Sequence, residues 1–374
     1  MFFVRANATG VEGSHASAAN SPESAHIGDL RLGEPIIRTM EDFAAASGVS
    51  RPTVSKYFHD PGSVRKSTRE RIEAALEQYD YRPNIYAINQ NRQLTKSVGI
   101  IVPYLADPVF AEIARTLERR CIEAGFHATL FSSHGERKLE SEALNDLRSL
   151  RPSGVLLAPL GRSSDRDQIA RFCEEVPTVL LDRNIAGIGE AFVGSDNQSF
   201  VSQSVDYLTR TGEPPCFFEM RNPGNPNSLA RHRCYIEAME GHGLEPMLVQ
   251  VEGEGWNLEE IGYQGGMRAL QEHSFPTDTV LCSNDRLAIG LLAACYEKGL
   301  RIGRGSGCAL RVAGHDDHPY SRFTCPPLTT VAHEYDLVSD CGAETLLRLI
   351  EAGGRFDDRT ETLFSARLVL RASA

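Results

Sequence analysis

The residues best placed to do chemistry lie in the stretch 37–59, IIRTMEDFAAASGVSRPTVSKYFH. Arg51, Pro52, Thr53, Ser55 and Lys56 share the outer face of a short helix if Val54, Tyr57 and Phe58 point inward. That face offers a guanidinium fork for guanine O6 and N7, one ammonium point charge, and hydroxyls for phosphate oxygens. The local grammar that would position it is explicit. Thr39 can cap a first helix, with Asp42 three positions on in the capping-box place. Phe43, Ala44 and Ala45 give that helix a small apolar face. Gly48 ends it where φ > 0 is needed, and Val49 is a buried spacer. Ser50 caps a second helix, with Pro52 in its first turn. A helix, a glycine turn and a polar second helix form the DNA-reading helix-turn-helix pattern, although an ordinary αα-hairpin fits the composition equally.

The length of 374 residues suggests two or three domains, and 41% hydrophobic with 24% charged residues is normal for a soluble globular chain. No apolar run reaches about 18 residues, so no transmembrane helix and no membrane partner are expected. The start, MFFVRANATG, lacks a long apolar segment, which argues against a secretory signal. Residues 1–35, rich in Ser, Ala, Gly, Asn and Glu, read as a disordered tail. The nine cysteines contain no CxxC pair, which argues against zinc and against a disulfide framework and suits a reducing cytoplasm. The net charge of −11 hides an asymmetry. Residues 36–96 carry ten Lys/Arg against seven Asp/Glu, whereas residues 97–374 carry 27 against 39. A slightly basic head on an acidic body favours local phosphate binding.

The elements that follow must position this head. Asp60-Pro61-Gly62 is a turn into a third helix, roughly 67–79, with an apolar stripe of Ile72, Ala75, Leu76 and Tyr79. Residues 98–103 read as a buried strand and 107–125 as an amphipathic helix ending at Gly125. Strand HATLFSS, a helix over 140–150, strand GVLLAP and strand VPTVLLD continue the alternation. A second βα series begins near Ala191-Phe192-Val193 and runs through PCFFEM, MLVQVEG, DTVLCS and ALRVAGH. Such alternation implies α/β architecture with parallel sheets and helices on both faces. GxSxG, HExxH, P-loop and GxGxxG motifs are absent, so no catalytic residues are assigned. Gly303–Gly307 follows the expected helix 286–299 and reads as a loop. His315 and His318 flank Asp316-Asp317, a pattern a ligand-binding loop explains better than a metal; no metal or cofactor is expected.

The series VSRPTVSKYF, TRERIEAALEQYDYRPN and TKSVGIIVP resembles, in order, spacing and residue type, the N-terminal half of bacterial lactose-repressor (LacI/GalR) family regulators, and the resemblance runs over residues 36–374. It implies a three-helix helix-turn-helix head at 36–82, a hinge helix and linker at 83–96, and a periplasmic-binding-protein-like core at 97–374. The core would comprise two doubly wound parallel α/β subdomains, the N-subdomain at about 97–190 and 315–330 and the C-subdomain at about 191–314 and 331–374.

The resemblance places Arg51 and Pro52 at base-reading positions and Lys56 where most relatives carry arginine. Thr39, Ser50, Thr53 and Ser55 become phosphate-contact candidates, though Ser50 is equally a helix cap. In the hinge, Tyr81, Pro83, Asn84 and Ala87 match the family, but Gln90 stands where a leucine wedge would enter the minor groove. The implied effector residues are Phe110, Asp182, Arg183, Arg231, Trp256, Asn284, Asp285, Asp316 and Phe323. Asp182, Arg231, Asn284, Asp316 and Trp256 together suit a neutral sugar or polyol, with carboxylates and amides on hydroxyls and an aromatic face on the ring.

The expected function is a cytoplasmic, nucleoid-associated homodimeric regulator. It would be a repressor of operator DNA controlled by a small effector, a sugar or alternatively a purine. A transport-type sugar-binding protein shares the core fold, but needs a signal sequence and lacks the head.

Overall fold

The computed structural model describes residues 37–82, 95–223 and 227–374. The chain divides into two compact units, residues 1–84 and 85–374.

In the first unit, α1 (Met40–Ser47), α2 (Arg51–His59) and α3 (Lys66–Tyr79) pack around Phe43, Val54 and Ile72, none of which retains solvent contact. The Thr39 capping box forms: the Asp42 N–H donates to Thr39 Oγ1 at 3.1 Å, and Asp42 Oδ2 accepts from the Thr39 N–H at 3.0 Å. Gly48 adopts φ 64° and closes α1. Arg71 of α3 donates to the Gly48 carbonyl at 2.8 Å, so a cation satisfies the negative end of α1. Tyr81 stacks on Phe43 at 4.6 Å and seals the core from the end of α3. These contacts fix α1 against α2 as a tight hairpin.

In the second unit, one sheet has the order β11-β5-β4-β3-β1-β2, all neighbours parallel. Its strands are β1 (Ser97–Val102), β2 (His127–Ser132), β3 (Gly154–Leu157), β4 (Thr178–Leu181), β5 (Ala191–Ser195) and β11 (Thr360–Phe364). The period-2 alternation of strands sorts the core into two layers. Val98, Ile100, Leu156, Val179 and Val193 face α4 (Pro108–Glu123) and α11 (Tyr335–Glu351). Ile101, Val155, Leu157, Leu180 and Phe192 face α5 (Arg137–Leu150) and α6 (Arg166–Glu175). Strands buried on both faces explain the uninterrupted apolar runs.

The second sheet, β7-β6-β8-β9, is also parallel and comprises β6 (Cys216–Met220), β7 (Leu248–Val251), β8 (Thr279–Cys282) and β9 (Arg311–Ala313). Helices α9 (Leu258–Gln271) and α10 (Asp285–Glu297) cover one face. Helices α7 (Asn197–Thr211) and α8 (Ser228–Gly241) cover the other. A short antiparallel pair, β10 (Thr330–His333) with β12 (Ala366–Val369), flanks this lobe. No described helix is long and apolar enough to cross a membrane.

The division of the core into subdomains differs from the expected one. Strand β5, expected to open the C-subdomain at 191, pairs with β4 and β11 in the first sheet. Residues 315–330, expected in the N-subdomain, stay with the second lobe, where Ala313 bridges Thr329 and the Asp316 N–H donates to the Val331 carbonyl. Helix α11 and β11, expected in the C-subdomain, return to the first lobe. The chain therefore crosses between lobes near residues 196, 334 and 365. A buried β-strand carries the same apolar run whichever sheet it joins, so the sequence could not locate these crossings.

The α9–α10 contact depends on two glycines. A Cβ on Gly290 would meet the backbone of Glu259 and Tyr263, and one on Gly262 would meet the backbone of Leu287. Backbone cannot yield as a side chain does. Gly290→Ala should lower stability by about 2 kcal/mol, read as a lower urea midpoint of the full-length protein by circular dichroism. A change under about 0.5 kcal/mol would show that the two helices slide apart at little cost.

Candidate functional site

Polar residues from the carboxyl ends of several core strands meet where the two lobes adjoin, the region where ligands bind in open parallel α/β sheets. Asp182 follows β4 and Arg231 lies in α8; Ser283 follows β8 and Asp316 follows β9. Asp182 sits at φ 60° and Asp316 at φ 112°, in the positive-φ region that non-glycine residues seldom adopt.

Arg231 is the centre of the cluster, 2% exposed. Its Nη1 donates to the Ser283 carbonyl at 2.8 Å and its Nη2 to Asp316 Oδ1 at 2.5 Å. The guanidinium lies 5.5 Å from the Phe200 ring, and its Nε is buried without a partner. Burial opposes the charge, but Asp316 and its neighbours outweigh that cost and the group stays protonated. Tyr335 donates to the same Asp316 oxygen at 3.4 Å, and His333 Nε2 lies 3.6 Å from it. Burial, reinforced by the Arg231 charge, pushes His333 well below its ordinary value and His315 to about 3, so both imidazoles are neutral.

Asp182 faces this cluster from the first lobe. The Asn227 amide nitrogen donates to both its carboxylate oxygens at 2.8 Å each, joining the lobes. Burial lifts the Asp182 pKa to about 6 despite the opposing Arg231 charge and the Asn227 donor.

Trp256 leaves the second lobe after β7 and packs into the first lobe's core. It stacks on Tyr104 at 5.1 Å and meets the edge of Phe110 at 6.1 Å. Gly135 lies under the indole, where a Cβ would collide with Trp256 Nε1. Arg286 holds this arrangement. It forks onto both Glu259 oxygens at 2.8 and 2.6 Å, donates to the Trp256 carbonyl at 2.9 Å, and reaches Asp107 across the cleft at 3.1 Å.

Other expected members sit differently. Asn284 is the N-cap of α10, its amide oxygen accepting from the Leu287 N–H at 2.9 Å. Asp285 is fully buried and accepts from the His318 N–H at 2.9 Å, Ser321 at 2.5 Å and Thr330 at 2.6 Å. Its bonds pin the 315–330 loop to α10, so it shapes the second lobe from inside. Phe323, expected beside the cleft cluster, is instead 69% exposed with Arg322 over its ring. Arg183 lies against Gly161, at the end of the loop after β3. Asn227, Phe200, His333, Tyr335, Tyr104 and the Arg286–Asp107 pair were not read from the sequence. Of these, only Asp107 fell at a position the sequence marked, the start of the helix expected over 107–125.

In the head, Arg51, Pro52 and Lys56 are exposed, whereas Thr53 and Ser55 are half-buried. Ser50 occupies the N-cap position of α2, but its hydroxyl bonds Thr53 Oγ1 at 2.8 Å and does not cap the helix backbone. Thr39 is committed to the α1 capping box. Arg51 pairs with Glu41 of α1, an exposed contact worth little that DNA would have to displace. Asn84, Ala87 and Gln90 lie outside the described residues.

A helix-turn-helix head followed by a two-lobed core with the chain crossing three times between parallel sheets defines a regulator with a binding-protein core. Residues 39–84 match the model for bacterial regulatory proteins of the lacI family, and residues 207–374 match the periplasmic binding protein-like domain. The chain thus joins a lacI-family helix-turn-helix domain to a periplasmic binding protein-like domain. It is 26% identical over 314 residues to the ribose operon repressor of Escherichia coli (strain K12), covering 83% of this chain and 93% of that one. It is 28% identical over 300 residues to the HTH-type transcriptional repressor PurR of Haemophilus influenzae (strain PittEE), covering 78% and 85%. Among solved structures it resembles the lac repressor dimer bound to operator and the anti-inducer ONPF, with a TM-score of 0.75, 26% identity, and coverage of 90% and 98%.

The raised Asp182 pKa carries a sign that can be measured. The folded protein holds this proton more tightly than the unfolded chain, whose value is near 3.8. The carboxyl's contribution to stability therefore falls as pH rises from about 4 to about 6 and is level above that, a change of roughly 2–3 kcal/mol. Asp182→Asn should remove this slope, seen as a smaller difference between urea midpoints at pH 4.5 and pH 7 than in the unmodified protein. An unchanged difference would place the titration elsewhere.

Proposed function

We propose that the protein is a homodimeric transcriptional repressor whose operator binding is controlled by a polyhydroxylated effector, a sugar or polyol, held between the core lobes. The observation that carries the effector reading is the Arg231–Asp316 pair opposite Asp182, with the Trp256–Tyr104–Phe110 wall beside it. Carboxylates and a guanidinium satisfy vicinal hydroxyls, and aromatic rings cover the apolar face of a pyranose or furanose. Binding across the cleft draws Asp182 and Arg231 together and biases the lobes toward closure. Residues 83–94 carry that bias to the head. The cluster is a binding site and not a catalytic one, and the setting is the cytoplasm, where regulators of this family act.

A purine effector is the second reading, favoured by the likeness to a PurR repressor and by the aromatic wall, which suits a planar base. Thermal unfolding with D-ribose, other monosaccharides, polyols and hypoxanthine separates the two. A sugar should raise the midpoint, and Trp256→Ala should abolish the rise. A purine response with none from any sugar would sink the first reading.

In the head, Arg51 reads a base edge, Pro52 offers apolar contact, and Lys56 meets phosphate. Thr39, Ser50, Thr53 and Ser55 lie along the same approach, with Asn84, Ala87 and Gln90 at the minor groove. Lys56→Ala should weaken operator binding uniformly across sequences and flatten the plot of log K against log salt by about one unit. A fluorescence-anisotropy titration at several salt concentrations checks this, and an unchanged slope would remove Lys56 from the phosphate contacts.

A further inference from the structure

Trp256, the only tryptophan of the chain, is 7% exposed, yet its apolar neighbours belong to the other lobe. Val251 at the end of β7 and Leu258 at the start of α9 are both anchored in the second lobe's own core. The strap between them turns at Gly255, with φ 76°, and sends the indole into the first lobe. There the ring stacks on Tyr104 at 5.1 Å, meets Phe110 edge-on at 6.1 Å and covers Gly135. Arg286 ties the strap down. It donates to the Trp256 carbonyl at 2.9 Å and forks onto Glu259 within its own lobe, then reaches Asp107 of the first lobe at 3.1 Å. The Arg286 and Asp107 side chains are 12% and 6% exposed, so salt screens this pair little.

The topology places these contacts at one edge of the lobe junction. In the first sheet, β1 and β2 lie at the edge away from β5 and β11, the strands that end at the crossings near 196 and 365. Tyr104 and Asp107 follow β1, and Gly135 follows β2. In the second sheet, β7 is the edge strand away from β9. The third crossing, near 334, leaves β10, which lies on the β9 side through the Ala313–Thr329 bridge. Lobes joined by three crossings on one side hinge there and part on the opposite side. Trp256 and Arg286 stand on that opposite side.

We propose that Trp256 and Arg286 form a clasp that holds the lobes together at the edge opposite the chain crossings and must release before an effector enters. Its gating role rests on the lobe junction being the effector site; the clasp itself does not. Opening takes the indole out of the first lobe's core and breaks the ion pair in one movement, because Arg286 holds the Trp256 carbonyl and the Asp107 carboxylate at once. The clasp therefore has two positions, closed and released. Reclosure over a bound molecule returns the indole to Tyr104, so the same ring serves as gate and as wall.

The test follows the fluorescence of Trp256 in the full-length protein, with acrylamide as quencher and no effector added. Quenching of the unmodified protein should be several-fold weaker than that of the urea-unfolded chain. Asp107→Asn retains a side-chain oxygen for the Val109 N–H, so α4 stays capped while the inter-lobe ion pair is lost. It should raise the quenching constant at least about twofold with an unchanged circular dichroism spectrum. Gly135→Ala drives a methyl group into the indole and should raise the constant by a separate route. Free quenching in the unmodified protein, or an unchanged constant in either folded variant, would overturn the clasp. The measurement contains no effector, so it stands apart from the sugar reading. A protected, variant-sensitive Trp256 upholds the clasp even where no sugar shifts the unfolding midpoint, and a freely quenched one removes it even where a sugar does.

Discussion

The buried pair of Arg231 and Asp316 is the constraint on which the core depends. A guanidinium with 2% exposure would be intolerable alone, and removing one partner of such a pair typically costs about 3–5 kcal/mol. Its partners come from four elements: Asp316 after β9, the Ser283 carbonyl after β8, Phe200 in α7 and Tyr335 at the start of α11. None is near Arg231 in sequence. The pair therefore exists only if the second sheet, its flanking helices and the crossing into α11 are all in register. The neutral state of His315 and His333 follows from the same burial and the same cation.

Two inter-lobe connections frame this centre. Asp182 reaches Asn227, and Asp107 reaches Arg286, each carboxylate coming from the first lobe and each donor from the second. Burial raises the pKa of both carboxylates and outweighs the opposing pull of the donors that hold them. Trp256 adds an apolar connection by leaving its own lobe for the other's core. A ligand entering the cleft must exchange with these groups, and so its binding energy is spent on how the lobes meet.

The head is simpler because its determinants are local. Thr39, Asp42, Gly48 and Pro52 act within a few residues of one another, and the apolar stripe of α3 has the helical period. Those features were legible in the chain and appear as read, except that Ser50 bonds Thr53 in place of the α2 backbone. In the core, strand and helix positions were also legible, since apolar runs and capping residues are local signals. The lobe assignment of residues 191–195, 315–330 and 335–364 was not. Nor was the close packing of Gly262 on Gly290, because a helical glycine looks the same in sequence whether solvent or a backbone lies beside it.

By itself the sequence determined the order of elements, the α/β class, the helix-turn-helix head and, through its resemblance, most of the polar residues at strand ends. Its physical basis is short-range: hydrogen bonds across three or four residues and apolar periodicity. Only the tertiary structure decided which of those polar residues meet. It joined Arg231 to Asp316 and Asp182 to Asn227, turned Asp285 inward as a loop anchor, and left Phe323 exposed. Those outcomes depend on burial and on distance between segments remote in the chain, and neither quantity exists until the sheets have formed.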